Sequence, residues 1–452
     1  MNRRGTILVA VLVVISLTAL AAATLLYRAQ AEMYAAVAGS RRHQAFAALA
    51  SGIQRTMAIL AVGRADREIW YDNPELFQEQ FVCSDGVNSW YFTVYAYNPS
   101  DPETLRNGLI DEAGKVNLSV AAPEILAGLP GMEPDLVDSL VDYRDRDDET
   151  SPEGAEQEYY SQLEYPYLIK NGPLATLDEL LLVKGFTARI VYGEDHNLNG
   201  LLESNEDDAD ESFPPDNGDG RLDRGLLALM TVWTYEMNRA ADGEPRININ
   251  ALVGLERAEL RPETVEFITL YRSEGNTFSH PADLLEMRYQ LKKKQGKKPA
   301  GQWIDSGVGP GDLPDVLDRL TTEGPVLFGK VNVNAAPAEV LAALPGFDEE
   351  LADRVVRARA DVDPAAKETP AWLYTENIVS ADTFKVMASM LTARSYQFRL
   401  RCVAYGRPCG QFRVIEAVID LARSAPRVVY QRDLTRLGMP FAVDVELEER
   451  TE

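Results

Sequence analysis

Residues 6–27 read TILVAVLVVISLTALAAATLLY, a stretch without a charged side chain that decides how the chain begins. A helix of about 20 residues, rising about 1.5 Å per residue, crosses a hydrocarbon core of about 30 Å. Arg3 and Arg4 come before the stretch, and basic residues prefer the cytoplasmic side of a membrane. The sequence therefore predicts one membrane-spanning helix with the remainder of the chain outside the cytoplasm.

A cleaved secretory signal is the competing interpretation, because residues 19–23 offer small side chains to a peptidase. The residues that follow favour a retained helix. From Ala29 to about Val62 the chain is rich in Ala, with some Gln, Glu and Leu, and contains no proline. This composition predicts that the membrane helix continues into the folded body as one long helix.

The composition of the whole chain excludes several classes of function. Its 452 residues exceed the roughly 250 to 300 at which a single core stops growing, so several packed units are expected. A formal net charge of −25 repels a phosphate backbone, and nucleic acid is therefore not expected as a partner. The same acidic excess suits divalent cations. The chain lacks a recognisable nucleophile motif or phosphate loop, so we do not expect an enzyme.

Two tracts of equal length repeat within the body, at residues 114–131 and 329–346, each running from Gly-Lys-Val-Asn to Leu-Pro-Gly. A degenerate copy begins with ININ at residues 247–250. Each tract predicts a short strand followed by two helices joined at Pro-Gly. A helix-hairpin-helix module that binds nucleic acid has such a shape. However, Glu133 and Asp348 place carboxylates where a phosphate would bind, which favours a purely structural hairpin.

Strand-forming residues lie at both ends of the body. They are β-branched or aromatic and are separated by turns, at residues 90–97, 396–405, 411–421 and 427–432. The helical patterns lie between the first of these stretches and the others. The sequence therefore predicts an α+β fold in which a long amino-terminal helix and an antiparallel sheet carry a large, mainly helical insertion.

The leader and the insertion resemble a known family. Arg3-Arg4-Gly5 before a long apolar helix resembles the leader of type IV pilins and type II secretion pseudopilins. The insertion resembles that of the pseudopilin K family through ordered stretches: VDYRDRD at 141–147, GAE at 154–156, YY at 159–160, PYLIKNGPL at 166–174, LDEL at 177–180 and VKGF at 183–186.

The resemblance implies processing by a prepilin peptidase, with cleavage after Gly5 and methylation of the new terminus at Thr6. The chain departs from the general pilin pattern at two positions. Thr6 stands where Phe or Met is usual, and Ala10 stands where a glutamate is usual. Burying a carboxylate in lipid costs free energy unless the carboxylate neutralises the terminal amine of a neighbouring subunit. The resemblance implies that the K subunit is the pseudopilin without this glutamate.

The resemblance also implies a domain organisation with a pilin-like core. The expected segments are a leader at 1–5, the transmembrane and spine helix at 6–65, the first part of the pilin-like sheet at 66–118, an inserted helical, acidic domain at 119–328, a second helix-hairpin-helix-like unit at 329–393, and the carboxy-terminal strands and tail at 394–452.

In function, the resemblance implies a minor pseudopilin of the inner membrane with a periplasmic body. Such a subunit caps the tip of the type II secretion pseudopilus and helps to initiate its assembly for protein export. Its expected partners are minor pseudopilins I and J, the major pseudopilin filament and the prepilin peptidase. The alternatives are a membrane-tethered DNA-uptake or polysaccharide-binding protein and, third, a membrane-anchored hydrolase.

Residues 195–206, DHNLNGLLESNE, fit the loop pattern of an EF-hand, which predicts calcium as a cofactor. The predicted ligands are the side chains of Asp195, Asn197, Asn199, Glu203 and Glu206 and the carbonyl of Leu201. A shorter loop containing Asp216, Asp219 and Asp223 either forms a second site or completes the first. A solvated acidic linker is the alternative for both loops.

A further acidic group consists of Asp142, Asp145, Asp147 and Glu156. The resemblance implies calcium there, because the insertion of the K family is rich in carboxylates and binds calcium. An exposed helix end is the alternative interpretation.

Two other features concern cysteines and lysines. Cys402 and Cys409 flank a turn signal between two apolar runs, which allows either a disulfide across a hairpin or two free thiols, with Cys83 left over. Five lysines between residues 292 and 298 predict either a solvated loop or a contact with an acidic partner.

Overall fold

The computed structural model describes residues 3–209, 211–251, 253–423 and 425–443, with side chains described from residue 7 onward. Residues 1–2 of the predicted leader and residues 444–452 of the predicted tail lie outside the described residues. The helices are α1 (Arg3–Gly63), α2 (Arg67–Trp70), α3 (Pro74–Phe77), α4 (Pro123–Ala127), α5 (Pro134–Arg144), α6 (Gln157–Ser161), α7 (Ala188–Tyr192), α8 (Gly225–Leu229), α9 (Pro262–Ser273), α10 (Leu313–Arg319), α11 (Ala338–Ala342), α12 (Glu349–Ala358), α13 (Trp372–Thr375) and α14 (Ala381–Met387).

The strands are mostly short, and the long ones lie near the two ends of the chain. They are β1 (Gln80–Ser84), β2 (Ser89–Tyr97), β3 (Leu105–Arg106), β4 (Ile110–Asp111), β5 (Val116–Asn117), β6 (Met230–Thr231), β7 (Tyr235–Met237), β8 (Ile247–Asn248), β9 (Arg288–Gln290), β10 (Trp303–Asp305), β11 (Leu320–Thr321), β12 (Val326–Phe328), β13 (Val331–Asn332), β14 (Leu391–Thr392), β15 (Gln397–Arg407), β16 (Phe412–Asp420) and β17 (Arg427–Asp433).

Helix α1 has two halves in different surroundings. Its first half is apolar and exposed, with Ile7, Leu12 and Leu20 each more than half accessible, and it is long and apolar enough to cross a membrane. The second half buries small and branched side chains, among them Leu49 and Leu60, against the main sheet. The prediction of one long helix is confirmed, and its exposed half fits a single-pass membrane anchor.

The main sheet joins the two ends of the chain. Its strands are antiparallel in the order β1-β2-β15-β16-β17, with β3 paired to β2 and β4 paired to β15. The chain leaves this sheet at Asp111 and returns to it at Gln397. Residues 112–396 are therefore an insertion between two hydrogen-bonded neighbours, β4 and β15. The α+β prediction is confirmed.

The insertion contains three short parallel ladders built on one pattern. In each, a Val-Asn or Ile-Asn strand pairs with a Met-Thr or Leu-Thr strand: β5 with β6, β8 with β11, and β13 with β14. Each asparagine Oδ1 accepts a hydrogen bond of 2.9 Å from the backbone N–H two residues later. The amino-terminal strand of each ladder was recognisable in the sequence, whereas the Leu-Thr and Met-Thr strands were not, because such dipeptides carry no distinctive signal.

In the first and third ladders, the amino-terminal strand is followed by a pair of helices: β5 by α4 and α5, and β13 by α11 and α12. The chain turns between the helices at Gly131 and Gly346, whose φ angles of +75° and +87° suit glycine. In the third unit, Asp348 Oδ1 accepts a hydrogen bond of 2.7 Å from Leu351 N and caps α12. A carboxylate thus lies where a helix-hairpin-helix module would bind a phosphate.

Of the two alternatives for Cys402 and Cys409, the possible disulfide is not formed, and both thiols are free. Cys402 lies inside β15 opposite Ile415, and β15 continues to Arg407 before the chain turns. Cys409 Sγ lies 3.6 Å from Gly406 O, and Gly406 is four residues further along β15 than Cys402, at about 3.3 Å per residue, which is well beyond the ~7 Å limit on Cα separation in a disulfide. The hairpin turn lies later in the chain than the pattern suggested.

Candidate functional site

The strongest candidate site consists of Asp145, Asp147 and Glu156. One carboxylate oxygen of each lies within 4.8 Å of the others. Asp145 follows the last residue of α5 and Glu156 precedes the first residue of α6, so two helix ends and the connecting loop bring the three acids together. Among the residues that the structure describes, this is the only such group of three potential metal ligands. We call it the three-carboxylate group.

Several oxygens of this group lack a hydrogen-bond partner. Glu156 is only 5% exposed, yet neither of its carboxylate oxygens accepts a hydrogen bond, and Oδ1 of Asp145 is likewise buried and unpaired. Burial, together with the charges of Asp142 and Asp145, raises the pKa of Glu156 to about 7. Burial and the charge of Asp147 also raise the pKa of Asp145. A bound cation would satisfy these oxygens and offset their mutual repulsion.

Asp142, the fourth residue of the predicted acidic group, is held by hydrogen bonds from the backbone of the loop. It is fully buried and both of its carboxylate oxygens face Ser151 N, at 3.1 and 3.3 Å. Gly154 packs so closely on it that an added Cβ would lie 2.0 Å from Oδ2. Asp142 therefore closes the loop between α5 and α6 and lies outside the three-carboxylate group.

The EF-hand-like loop at 195–206 folds back on itself. Asn197 Oδ1 and Asn199 Oδ1 accept backbone hydrogen bonds from the residues two positions later, at 2.9 and 2.7 Å. The side-chain amides of the same asparagines donate to the Glu203 carboxylate, at 2.8 and 3.3 Å. Glu206 Oε2 accepts from Glu203 N at 3.1 Å. The side chains of Asn197, Asn199 and Glu203 thus lie together, and Gly200 makes the turn with φ +77°.

Asp195 and Glu206, at the two ends of this loop, are almost completely buried. Burial and the nearby charges of Asp195 and Glu203 raise the pKa of Glu206 to about 7. Asp195 Oδ1 accepts a hydrogen bond of 3.3 Å from Gly200 N, and its other oxygen faces Arg401 of β15. The loop is therefore attached to the main sheet through its first predicted ligand.

The shorter acidic loop closes onto the first. Glu194 and Asp223 exchange two hydrogen bonds: Glu194 N donates to Asp223 O at 2.8 Å, and Asp223 N donates to Glu194 Oε2 at 3.2 Å. Asp216 accepts backbone hydrogen bonds from Ala209 and Gly218 at 2.8 and 2.7 Å, so its carboxylate joins the shorter loop to the segment that follows the first loop. Asp219 accepts from the side chain of Asn217 at 3.1 Å. The structure thus places both loops in one acidic lobe.

A buried ionic network that the sequence did not indicate links the insertion to the main sheet. Glu416 accepts from Arg399 and Arg401 at 2.7 and 3.1 Å. Glu112 accepts from Arg399 at 2.8 Å and from Lys115 at 3.0 Å. The basic partners hold the pKa of Glu112 and Glu416 below the usual range. Lone charged residues in β-rich stretches carry no signal of such pairing in a single sequence.

The predicted processing site, Gly5 and Thr6, lies within α1, and the structure describes only its backbone.

Comparison with known proteins gives two family matches. Models described as "Type II secretion system (T2SS), protein K" match residues 118–192, which contain the three-carboxylate group, and residues 331–388, which contain the third ladder strand β13 and the pair α11–α12. No curated protein matches the chain. Among solved structures, the chain is similar to a chain in the crystal structure of the GspK-GspI-GspJ complex from the enterotoxigenic Escherichia coli type 2 secretion system. The identity is 15% and the TM-score is 0.37, and the match covers 88% of this chain and 98% of that chain.

Proposed function

Because the chain belongs to the type II secretion system protein K family, we propose that it is a minor pseudopilin that caps the tip of the pseudopilus and helps to initiate its assembly. The observation that carries this proposal is the size and position of the insertion. Residues 112–396 are inserted between β4 and β15. The folded body that follows α1, which we call the head, is therefore far larger than that of a subunit made only of a helix and a sheet. A further subunit stacked above such a head would clash with it.

The two halves of α1 support a role in a membrane-anchored filament. The exposed apolar half would stay in the inner membrane until assembly, and the half packed on the sheet would hold the body in the periplasm. We propose cleavage after Gly5 by the prepilin peptidase and methylation of Thr6. Ala10 offers no carboxylate to a neighbour's terminal amine, which suits a subunit at the end of a filament.

The proposed partners are minor pseudopilins I and J and the major pseudopilin filament. The similar solved structure is a complex of GspK with GspI and GspJ. We propose the same association for this chain because its family is that of protein K.

Calcium is the proposed cofactor, and the three-carboxylate group is its best-supported site. Asp145, Asp147 and Glu156 supply oxygen ligands, and three of those oxygens are buried without a hydrogen-bond partner. Calcium is a hard cation that takes six to eight oxygens, so backbone carbonyls and water would complete the set. The loop at 195–206 is the second proposed site, in which Asn197, Asn199, Glu203 and Glu206 would act with Asp195.

The shorter loop supports the first loop in this proposal. Asp216 and Asp223 accept hydrogen bonds from backbone N–H groups of the acidic lobe. Calcium bound at residues 195–206 would reduce the electrostatic repulsion between the two loops. Calcium would thereby keep the insertion folded, and its role would be structural.

The tip position can be tested by labelling. Cys83 is exposed, Cys402 is buried and Cys409 is half-buried, so a Cys409→Ser variant carries one readily labelled thiol. Gold attached to Cys83 should mark one end of each pseudopilus in electron micrographs of cells that overproduce the major pseudopilin. Gold along the filament length would contradict the capping role.

A further inference from the structure

A hairpin formed by β9 and β10 concentrates positive charge on an otherwise acidic protein. Residues 288–305, which we call the lysine hairpin, contain six basic residues and one acidic residue, whereas the whole chain has a net charge of −25. At its tip, Lys292, Lys293, Lys294 and Lys297 are exposed, and within the described residues their side chains enter no ion pair. Lys298, by contrast, pairs with Glu266 at 2.8 Å.

The backbone of the tip is held in one arrangement. The Glu274 carboxylate accepts hydrogen bonds from Lys292 N at 3.0 Å and from Lys293 N at 2.9 Å. Gln295 and Lys298 exchange two backbone hydrogen bonds of 2.9 Å around Gly296, which has φ +54°. Because the turn is closed before any partner arrives, binding need not order the backbone, and only lysine side-chain freedom is lost.

The chemistry of the tip indicates what kind of surface it fits. Proteins that bind a bilayer surface insert apolar side chains into the interface. Residues 292–302 contain no large apolar side chain, so the tip is less suited to a lipid surface than to a protein. The exposed aromatic residue Trp303 pairs with Gln290 in the ladder below the tip, and the Arg288 guanidinium lies 5.7 Å from its ring. Unpaired ammonium groups on a fixed turn are suited to carboxylates.

We propose that the tip of the lysine hairpin binds an acidic segment of a partner protein, through ion pairs between Lys292, Lys293, Lys294 and Lys297 and a run of Asp or Glu side chains. The acidic surface elsewhere on the chain repels such a segment and directs it to the hairpin. This interaction goes beyond the proposed tip function and does not depend on calcium or on the position in a filament.

The test uses the full chain in nanodiscs of neutral phosphatidylcholine and a fluorescent polyglutamate peptide as the probe. Anisotropy should report binding at low salt that weakens as ionic strength rises, because exposed charges are screened over about 8 Å at physiological salt. Changing the four lysines to glutamine should weaken binding about tenfold, as expected for several exposed ion pairs of modest strength.

Two control variants isolate the hairpin. Lys298→Gln should bind as the wild type does, because this lysine already pairs with Glu266. A quadruple Arg→Gln variant removes the same charge from exposed positions elsewhere and should change binding less than twofold: Arg189, Arg354, Arg357 and Arg436.

Absence of polyglutamate binding by the wild type, or equal losses in the lysine and arginine variants, would overturn the proposal. Lysine-dependent binding to phosphatidylglycerol vesicles without binding to polyglutamate would overturn it as well, in favour of a lipid surface.

Discussion

Arg401 Nη1 lies 3.7 Å from Asp195 Oδ2, and both side chains are at least 94% buried. Arg401 belongs to the central strand β15 of the main sheet, whereas Asp195 opens the EF-hand-like loop of the insertion. Arg401 also donates to Glu416 at 3.1 Å, so one guanidinium balances two carboxylates. The pair therefore couples the acidic lobe to the sheet against which the spine helix packs.

We expect Arg401→Met to destabilise the protein by about 3–5 kcal/mol, because it removes the ion pair of the buried Asp195 carboxylate and leaves Glu416 with Arg399 alone. Urea denaturation of the full chain in nanodiscs measures the change in free energy of unfolding. Arg413→Met is the control, because Arg413 pairs with Asp433 at a more exposed position and should cost no more than about 1 kcal/mol. Equal losses in the two variants would contradict the structural importance of the buried pair.

Glu156→Gln should separate stability from calcium binding. Because the folded-state pKa of Glu156 is raised to about 7, ionisation of this group opposes folding when calcium is absent. The calcium-free protein should therefore lose stability as pH rises from about 4.5 to about 7, a loss that Glu156→Gln should reduce. The same variant should bind calcium at least tenfold more weakly by isothermal titration calorimetry.

The control for this prediction is Glu158→Gln, an exposed glutamate in the first turn of α6. It should alter neither the pH profile nor the affinity. If Glu156→Gln retained wild-type calcium affinity, the three-carboxylate group would not be the binding site.

Chelation of calcium should expose the acidic lobe to protease. Without the cation, the carboxylates of residues 194–223 repel one another and the two loops should open. Trypsin should then cleave faster after the exposed Arg221, while cleavage after the exposed Arg189 in α7 should keep its rate. Mass spectrometry of timed digests distinguishes the two sites, and equal rates at Arg221 with and without chelator would argue against calcium in this lobe.

Gly154→Ala should destabilise the insertion by about 1–3 kcal/mol, because an added methyl group would overlap the buried Asp142 carboxylate. Gly172→Ala is the matched control, since its Cβ would meet only Lys170 O at 3.7 Å. Thermal unfolding followed by circular dichroism compares the two. The structure around Asp142 would be wrong if both substitutions had the same small effect.

The mature amino terminus tests the proposed processing. In a host that has the prepilin peptidase, mass spectrometry should find a chain that begins at methylated Thr6. A chain that begins near Ala23 would identify a cleaved signal peptide, and a retained Met1 would exclude processing.

The elements predicted correctly from sequence depend on local pattern. The length of α1 followed from an unbroken run without proline, and the turns at Gly131 and Gly346 followed from Pro-Gly after an apolar helix. The expectation that Cys402 could face Cys409 across a hairpin was wrong. The length of a strand decides which residues face each other, and β15 continues past the turn signal, so Cys402 faces Ile415. The Met-Thr and Leu-Thr strands of the three ladders were missed because only their parallel partners distinguish them.

By itself, the amino-acid sequence determined the long apolar helix, the order of sheet and insertion, and the acidic residues from which the proposed calcium ligands are drawn. These depend on composition and spacing over a few tens of residues. Only the tertiary structure decided that Asp142 closes a loop while Asp145, Asp147 and Glu156 converge, and that Asp195 meets Arg401. Burial, which raises the pKa of Glu156, and ion pairing between residues about two hundred positions apart are properties of the packed chain.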